Sequence, residues 1–196
     1  MKKFSIVAAC CRSNGIGKNN TLPWKLKKEM NYFLRITSTV LNKNSNDSIP
    51  KMNAVIMGRK TYLSIPSKYR PLPNRINVVL SRKAEKAPDN AVLLFRSLNE
   101  ALESLSEMSE VDQIFIVGGA GVYSEAICSP LCEFVFLTRI DSDFDCDRFF
   151  PVVDTETYKD LNEDSEFIKL YNIPTGVQEE NGITFRYHLY RQKLQD

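Results

Sequence analysis

The sequence lacks the residues and spacings by which many enzyme sites are recognised. Its 196 residues include only one histidine and five cysteines without a CxxC pair, so there is no recognisable zinc pattern and we expect no metal. Its serines lack the GxSxG spacing, and its glycines form neither GxGxxG nor GxxxxGK[ST]. The commonest zinc, serine-hydrolase, dinucleotide and P-loop signatures are therefore excluded.

Long apolar runs and a strong charge of one sign are also missing. No segment approaches the roughly 18 to 20 apolar residues of a membrane span, and the net charge is only +2. The start, MKKFSIVAACC, has the basic and apolar residues of a secretory signal, but the apolar run covers only 4 to 11, so a buried strand explains it better. We therefore expect a cytoplasmic monomer with free thiols and no membrane or nucleic-acid partner.

What the sequence contains is an alternation of short apolar runs and helix-like segments. The runs cover 4–9, 54–58, 76–81, 91–95, 114–118 and 134–138, and the helix-like segments cover 26–40, a start near 59, a start at 97 and 120–127. Ser97 and Glu100 form a capping box. Such alternation predicts one α/β domain over residues 1–196, with a mixed, mostly parallel central sheet flanked by helices. An Asn181-Gly182 turn and the alternating residues 184–193 predict an antiparallel pair at the C-terminal edge.

Three strand-to-helix junctions carry groups suited to phosphate. The first is Gly58 with Arg59, Lys60 and Thr61, the second is Ser81 with Arg82, and the third is Gly118, Gly119 and Gly121. Taken singly, each junction is more often a simple tight turn. Because ligands bind where the carboxyl ends of strands meet in open α/β sheets, the three together favour one shared nucleotide site.

Glu29 is the acid that attracts interest near this site. Its simplest interpretation is a solvated helix acid paired with Lys25. However, Leu26, Met30, Phe33 and Leu34 surround it at helical spacing and should face the sheet, which places Glu29 at the border of an apolar face. A carboxylate there has a raised pKa unless a cation or a ligand with adjacent N–H donors meets it. His188 lies in an alternating strand, so we expect no acid–base role for it.

The order of these motifs resembles dihydrofolate reductase of the eukaryotic type. The segments that carry the resemblance are GIGKNNTLPW, KEMNYF, IMGRKTYLSIP, YRPLPNRINVVLSR, IFIVGGAGVY, LTRI and DCDRFFP, in family order along nearly the whole chain. The resemblance implies a single-function enzyme that uses NADPH to reduce 7,8-dihydrofolate to tetrahydrofolate, with hydride transfer to C6 and protonation at N5. It also implies binding of antifolate-type molecules.

The resemblance assigns a role to each matching position. Glu29 matches the acid that accepts hydrogen bonds from the pterin 2-amino group and N3, and Trp24 lies near an ordered water that assists N5 protonation. The implied substrate-binding residues are Ile6, Val7, Ala8, Met30, Phe33, Ile65, Leu72, Arg75 and Thr138, with Arg75 for the α-carboxylate. The implied cofactor-binding residues are Ala8, Ile16, Gly17, Gly58, Arg59, Lys60, Thr61, Ser81, Arg82, Gly118, Gly119, Ala120, Gly121, Val122 and Tyr123, with Arg82 for the 2′-phosphate.

The resemblance also implies two backbone features and leaves two alternatives open. Residues 15–24 match a mobile segment that closes over the nicotinamide, and the Gly118–Gly119 bond is expected to be cis. Met30 replaces a common phenylalanine or isoleucine, Tyr62 stands where tryptophan is usual, and the surface loop 39–53 is longer than in many relatives. The alternatives are a reductase of the same fold acting on another pterin-like or pyrimidine substrate, and a nucleotide-binding module without catalysis.

Overall fold

The structure is a computed structural model that describes residues 1–42, 49–161 and 165–193. Within these ranges the strands are β1 (Phe4–Cys10), β2 (Gly15–Gly17), β3 (Met52–Gly58), β4 (Arg75–Leu80), β5 (Val92–Phe95), β6 (Val111–Ile116), β7 (Cys132–Ile140), β8 (Arg148–Phe149), β9 (Tyr158–Asp160), β10 (Gln178–Glu180) and β11 (Ile183–Gln192). The α-helices are α1 (Lys27–Ser38), α2 (Arg59–Ser64), α3 (Leu98–Glu107), α4 (Ala120–Ile127) and α5 (Ser165–Leu170). None of the described helices is long and apolar enough to cross a membrane.

The central sheet has the strand order β10-β11-β7-β1-β6-β3-β4-β5, and β9 also pairs with β11. Neighbouring strands from β7 to β5 run parallel, whereas β11 is antiparallel to β7, β9 and β10. This confirms the predicted mixed, mostly parallel sheet with an antiparallel pair at its C-terminal edge. Asn181 and Gly182 connect β10 and β11 with positive φ values of 55° and 75°, as a tight hairpin turn requires.

Both faces of the sheet are buried, which explains why its strands read as continuous apolar runs. In β1, Ile6 packs in the cluster that contains α3 and α4, whereas the next residue, Val7, packs in the cluster that contains α1 and α2. Because side chains alternate along a strand, successive residues pack into the two hydrophobic clusters on opposite faces of the sheet. These two layers of helices hold the strand ends in fixed positions.

The predicted α3 cap is formed in part. Ser97 Oγ accepts a hydrogen bond from the Glu100 amide at 3.2 Å, but the Glu100 carboxylate accepts from the Arg96 amide at 2.9 Å rather than from that of Ser97. In the loop predicted at 39–53, residues 43–48 lie outside the described residues. The amide of Leu41 donates to Asp112 at 2.8 Å, which anchors the start of this loop to β6.

Candidate active site

The three phosphate-suited junctions meet at one edge of the sheet. Gly58, the last residue of β3, is opposite Leu80, the last residue of β4, so the residues that follow the two strands are neighbours. On the other side of β3, the amide of Gly58 donates to the carbonyl of Gly118 at 2.8 Å. The structure therefore brings together the residues that the sequence placed at a shared nucleotide site.

The paired glycines allow close approach of the backbone at this edge. The Gly118–Gly119 bond is cis, as the resemblance implied, and Gly118 has a φ of 115°. A Cβ on Gly119 would lie 2.9 Å from Thr61 Oγ1, so a side chain does not fit there without displacing Thr61. A Cβ on Gly121 would meet nothing within 4 Å, so space does not require glycine at that position.

The polar groups around these glycines differ in exposure. Arg59, Lys60 and Arg82 are exposed, whereas Thr61 and Ser81 are half-buried. Two exposed arginines and a lysine beside the paired glycines form a surface suited to phosphate groups.

Tyr62, the residue that departs from the usual tryptophan, ties two parts of this surface together. Its side chain is fully buried, and its hydroxyl donates a hydrogen bond of 2.5 Å to Asp89 Oδ2. Because Asp89 lies in the loop between β4 and β5, this bond holds the loop that begins with Ser81 and Arg82 against α2. Sequence reasoning identified Tyr62 as a departure but gave no reason to expect this partner.

Glu29 lies on the buried face of α1, not at its border. Its exposed fraction is 6%, and it shares the buried face with Tyr32 and Ile36. The expectation that Met30 and Leu34 face the sheet is wrong, because they are 48% and 45% exposed. The buried face of the helix contains residues 29, 32 and 36. The apolar side chains of Met30 and Leu34 suggested a different buried face in the sequence.

Burial raises the pKa of Glu29 from 4.5 to about 7, and the nearby Thr138 hydroxyl lowers it in part. Thr138 Oγ1 nevertheless makes no hydrogen bond of good geometry among the described residues, and the same holds for Trp24 Nε1 and Tyr32 OH. Buried polar atoms without a partner are costly. A buried acid next to such atoms is therefore suited to a polar ligand with several N–H donors.

Arg75 is the second buried charge at the site, with an exposed fraction of 7%. Its Nη1 donates to Thr37 Oγ1 at 2.8 Å and its Nε donates to the Pro73 carbonyl at 3.0 Å. The guanidinium also lies 6.0 Å from the centroid of the Phe33 ring. Burial lowers its pKa to about 10, with no acid among the described residues to offset that effect. Arg75 is thus a fixed, desolvated cation suited to a carboxylate.

Two residues that fix this part of the site were missed by sequence reasoning. Thr37 anchors Arg75, and the Asn77 side chain forms two hydrogen bonds of 2.8 Å with the backbone amide and carbonyl of Leu72. Asn77 is 2% exposed, in the middle of the apolar strand β4. An amide side chain inside an apolar strand was the available signal, since buried polar groups need partners.

The remaining predicted residues fall into two groups. Those that pack with the core on the α1 and α2 side are Val7, Trp24, Phe33, Ile65 and Leu72. Those that pack with the core on the α3 and α4 side are Ile6, Ala8, Ile16, Val122 and Tyr123. Tyr123 joins the two groups, because its hydroxyl donates to the Val7 carbonyl at 2.8 Å. Ala120 begins α4 next to the paired glycines.

The segment expected to be mobile is paired with β8 in this structure. Gly15 and Gly17 of β2 pair with Phe149 and Arg148, and Lys18 forms an ion pair with Asp145. Trp24, at the end of the segment, is buried with its ring 5.4 Å from that of Phe144. The glycine segment thus lies over the same end of the sheet as the junctions, and its mobility stays a prediction.

A mixed α/β sheet whose strand ends carry phosphate-suited junctions, together with a buried acid and a buried arginine along α1, defines a nucleotide-dependent enzyme of the α/β class. Comparison with known proteins narrows this class. The family model for dihydrofolate reductase matches residues 3–173. The chain is 43% identical over 190 residues to the dihydrofolate reductase of Drosophila melanogaster, covering 96% of this chain and 97% of the relative. It is 43% identical over 197 residues to that of Sus scrofa, covering 98% and 99%.

The solved structure of Schistosoma mansoni dihydrofolate reductase is similar throughout, with a TM-score of 0.78 and 36% identity over 97% of this chain and 98% of that one. The chain belongs to the dihydrofolate reductase family.

Proposed function

We propose that Glu29, Arg75 and the three strand-end junctions form the site at which this dihydrofolate reductase converts 7,8-dihydrofolate to tetrahydrofolate. The reaction adds a hydride at C6 of the pterin ring and a proton at N5. When bound, NADPH supplies the hydride. The single observation that carries the assignment is the burial of one acid and one arginine along α1: Glu29 lies on its inner face near its start, and Arg75, the first residue of β4, contacts Thr37 near its end.

Glu29 is the group that recognises the pterin ring. A carboxylate with 6% exposure binds strongly to two adjacent N–H donors, because there is little water to compete for its oxygens. The pterin 2-amino group and N3 present such a pair. The fit of acid and ring orients C6 and N5 within the site, and orientation of this kind supplies much of the catalysis.

Glu29 also favours the proton at N5 through its charge. A negative charge in a poorly hydrated site stabilises a positive charge that develops nearby. Thr138 Oγ1 lies near Glu29 and, like Trp24 Nε1, has no hydrogen-bond partner among the described residues, so these groups can hold a water that delivers the proton. Direct donation from Glu29 to N5 is not part of the proposal.

Arg75 binds the α-carboxylate of the substrate's glutamate. Its Nε donates to the Pro73 carbonyl and its Nη1 donates to Thr37 Oγ1, and these two hydrogen bonds fix the plane of the guanidinium. The Nη2 edge remains for a carboxylate, and a fixed planar fork binds a carboxylate in two places at once. Met30 and Phe33 lie on α1 between Glu29 and Thr37, with the Phe33 ring centroid 6.0 Å from the Arg75 guanidinium, and are suited to the aminobenzoyl ring.

The junction residues hold the cofactor. Gly119 packs against Thr61, where a Cβ would lie 2.9 Å from Oγ1, so the glycine places the Thr61 hydroxyl beside the start of α4. Arg59, Lys60 and Thr61 are suited to the pyrophosphate of the cofactor. Ser81 and Arg82 are suited to the 2′-phosphate, which distinguishes NADPH from NADH.

The activity is tested by following the absorbance of NADPH with purified protein and dihydrofolate. We expect rapid oxidation with NADPH and a much higher KM with NADH. Oxidation of NADPH with a different pterin or pyrimidine but not with dihydrofolate would favour a reductase with another substrate. Binding of NADPH without turnover of any of these would favour a nucleotide-binding module.

Three finer properties belong to the same proposal. We propose that methotrexate-type antifolates compete with dihydrofolate at Glu29, that the enzyme is a monomer, and that it works in the cytoplasm. The five free cysteines fit a reducing compartment. Competition kinetics, light scattering of the purified protein and imaging of the tagged protein in cells test these three statements.

A further inference from the structure

Two cysteines that the reaction does not use lie together beside the glycine segment. Cys11 directly follows β1, and Cys146 lies in the segment that leads to β8. A Cβ on Gly15 would lie 2.5 Å from Cys146 Sγ and 2.9 Å from Cys11 Sγ, so both sulfur atoms touch the same glycine and are neighbours of each other. Only a glycine at position 15 leaves room for both.

The surrounding hydrogen bonds keep the two thiols in place. Cys11 Sγ lies 3.3 Å from the Ser13 hydroxyl, and the Cys11 amide donates to the Gly15 carbonyl at 2.9 Å. On the other side, Gly15 and Gly17 pair with Phe149 and Arg148 of β8. The thiols therefore belong to two chain segments that are already joined through β2.

Only one of the two thiols is accessible, because Cys11 is fully buried whereas Cys146 is not. Cys10 and Cys132 are fully buried, and burial raises their pKa values to about 11 and about 12. Cys146 is half-buried and reachable from solvent. Burial acts to raise the pKa of Cys11, but hydrogen bonds from Ser13 and from backbone amides, including those of Phe144 and Gly15, lower it overall. The lowered pKa of Cys11 favours its thiolate, which is the reactive form. Burial and then the neighbouring Cys11 raise the pKa of Cys146, so Cys146 is distinguished by its access to solvent and reacts through the fraction of its thiol that is deprotonated.

We propose that Cys11 and Cys146 form a redox-active dithiol site, which low-molecular-weight disulfides such as oxidised glutathione convert to an intramolecular disulfide. The accessible Cys146 thiolate first attacks oxidised glutathione, forming a mixed disulfide and releasing one reduced glutathione. The Cys11 thiolate then attacks the Cys146 sulfur and displaces the second glutathione. In total the two cysteines lose two protons and two electrons, and one disulfide is reduced to two thiols.

The cross-link would fix the glycine segment. A bond from Cys11 to Cys146 ties the end of β1 to the approach to β8, with Gly15 between them. Opening of β2 from β8 then requires movement against a covalent bond. We therefore expect the oxidised protein to show slower amide hydrogen exchange at residues 15–17 than the reduced protein.

The experiment uses the full chain carrying Cys128→Ser, because Cys128 is an exposed thiol that would form its own mixed disulfide. After treatment with oxidised glutathione, we expect loss of two free thiols, a mass lower by two hydrogen atoms, and a peptide that joins Cys11 to Cys146. The matched control carries Cys128→Ser and Cys146→Ser and should keep its Cys11 thiol, because its accessible attacking thiol is gone. The unmutated protein is treated and its disulfide-linked peptides are identified in the same way. The same Cys11–Cys146 peptide there shows that the substitutions have not altered the fold around the two thiols.

A stable glutathione adduct on Cys146 without the cross-linked peptide would overturn the proposal. So would a disulfide that joins any other pair, or formation of the cross-link with no slowing of exchange at residues 15–17. Dithiothreitol should reverse both the mass change and the exchange change. None of these readouts depends on folate reduction, so the dithiol site and the proposed reaction succeed or fail separately.

Discussion

At the scale of single residues, the proposed substrate site is distinguished by two buried charged side chains. Among the described residues, Glu29 and Arg75 are the charged side chains with the lowest exposure, at 6% and 7%. Neither has a partner of opposite charge in the part of the chain that the structure describes, so each lowers the stability of the ligand-free protein. Such burial is explained by ligand groups that complete the two interactions: N–H donors at Glu29 and a carboxylate at Arg75.

Glu29 should make stability depend on pH in a defined direction. Its pKa is raised by burial from 4.5 to about 7, so the folded state holds the proton more tightly than the unfolded state. The stability that the protonated Glu29 contributes to the folded state is fully present below pH 4.5 and is lost as the pH rises through about 7. We expect the free energy of unfolding of the ligand-free protein to fall over this range by an amount on the order of 3 kcal/mol that Glu29→Gln lacks.

Denaturant unfolding at a series of pH values measures this difference. Glu125→Gln, which removes an exposed acid from α4, controls for the loss of a surface charge. Parallel pH curves for wild type and Glu29→Gln would contradict the prediction.

Arg75 should discriminate between substrates with and without a carboxylate tail. Loss of a hydrogen-bonded charge pair costs about 1.5 to 3 kcal/mol, which corresponds to a rise in KM of roughly 10- to 150-fold. We expect Arg75→Leu to raise KM for dihydrofolate by this amount. KM for a reduced pterin without the aminobenzoylglutamate tail should change little. Steady-state kinetics with both substrates provides the measurement, and an equal rise for the two would assign Arg75 a purely structural role.

At the scale of elements, the hydrogen bond between Tyr62 and Asp89 couples α2 to the loop between β4 and β5. Tyr62→Phe removes the donor and leaves a half-buried carboxylate without it, at a cost of about 1.5 to 3 kcal/mol in unfolding free energy. Because this loop begins with Ser81 and Arg82, we also expect KM to rise several-fold for NADPH and less for NADH.

Tyr158→Phe is the matched control for this change. It removes another buried tyrosine hydrogen bond, from Tyr158 OH to the Ile127 carbonyl at 2.8 Å, away from the junctions. It should lower stability without changing the preference for NADPH. The same change in cofactor preference in both variants would show that the effect is one of general stability.

The sequence predicted the long elements because their signals are local. Continuous apolar runs predicted β1, β3, β4 and β7, and Ser97 marked the start of α3. The short strands β2, β8 and β9, of two or three residues each, were not predicted, because they are formed by pairing with distant segments rather than by their own pattern. The inward face of α1 was assigned wrongly, since residue type alone placed Met30 and Leu34 on it.

At the scale of the whole molecule, one sheet edge gathers the three junctions proposed to hold the cofactor, whereas Arg75 lies at the opposite end of β4. Parallel strands place residues that are far apart in sequence, such as Gly58, Leu80 and Gly118, next to one another. The sequence predicted this meeting from the α/β pattern, and resemblance to the family named most of the side chains. It could not show Thr37 beneath Arg75 or Asn77 holding Leu72, because those contacts depend on the folded positions of two elements.

The central claim is that Glu29 is the pterin-binding acid, and turnover of Glu29→Gln tests it most directly. The rate of NADPH oxidation with dihydrofolate at neutral pH should be high in wild type and should collapse in Glu29→Gln. Glu125→Gln should keep the wild-type rate. Since solvent must then protonate N5 without help from the carboxylate, the residual rate of Glu29→Gln should rise as the pH falls. A wild-type rate in Glu29→Gln at neutral pH would contradict the account.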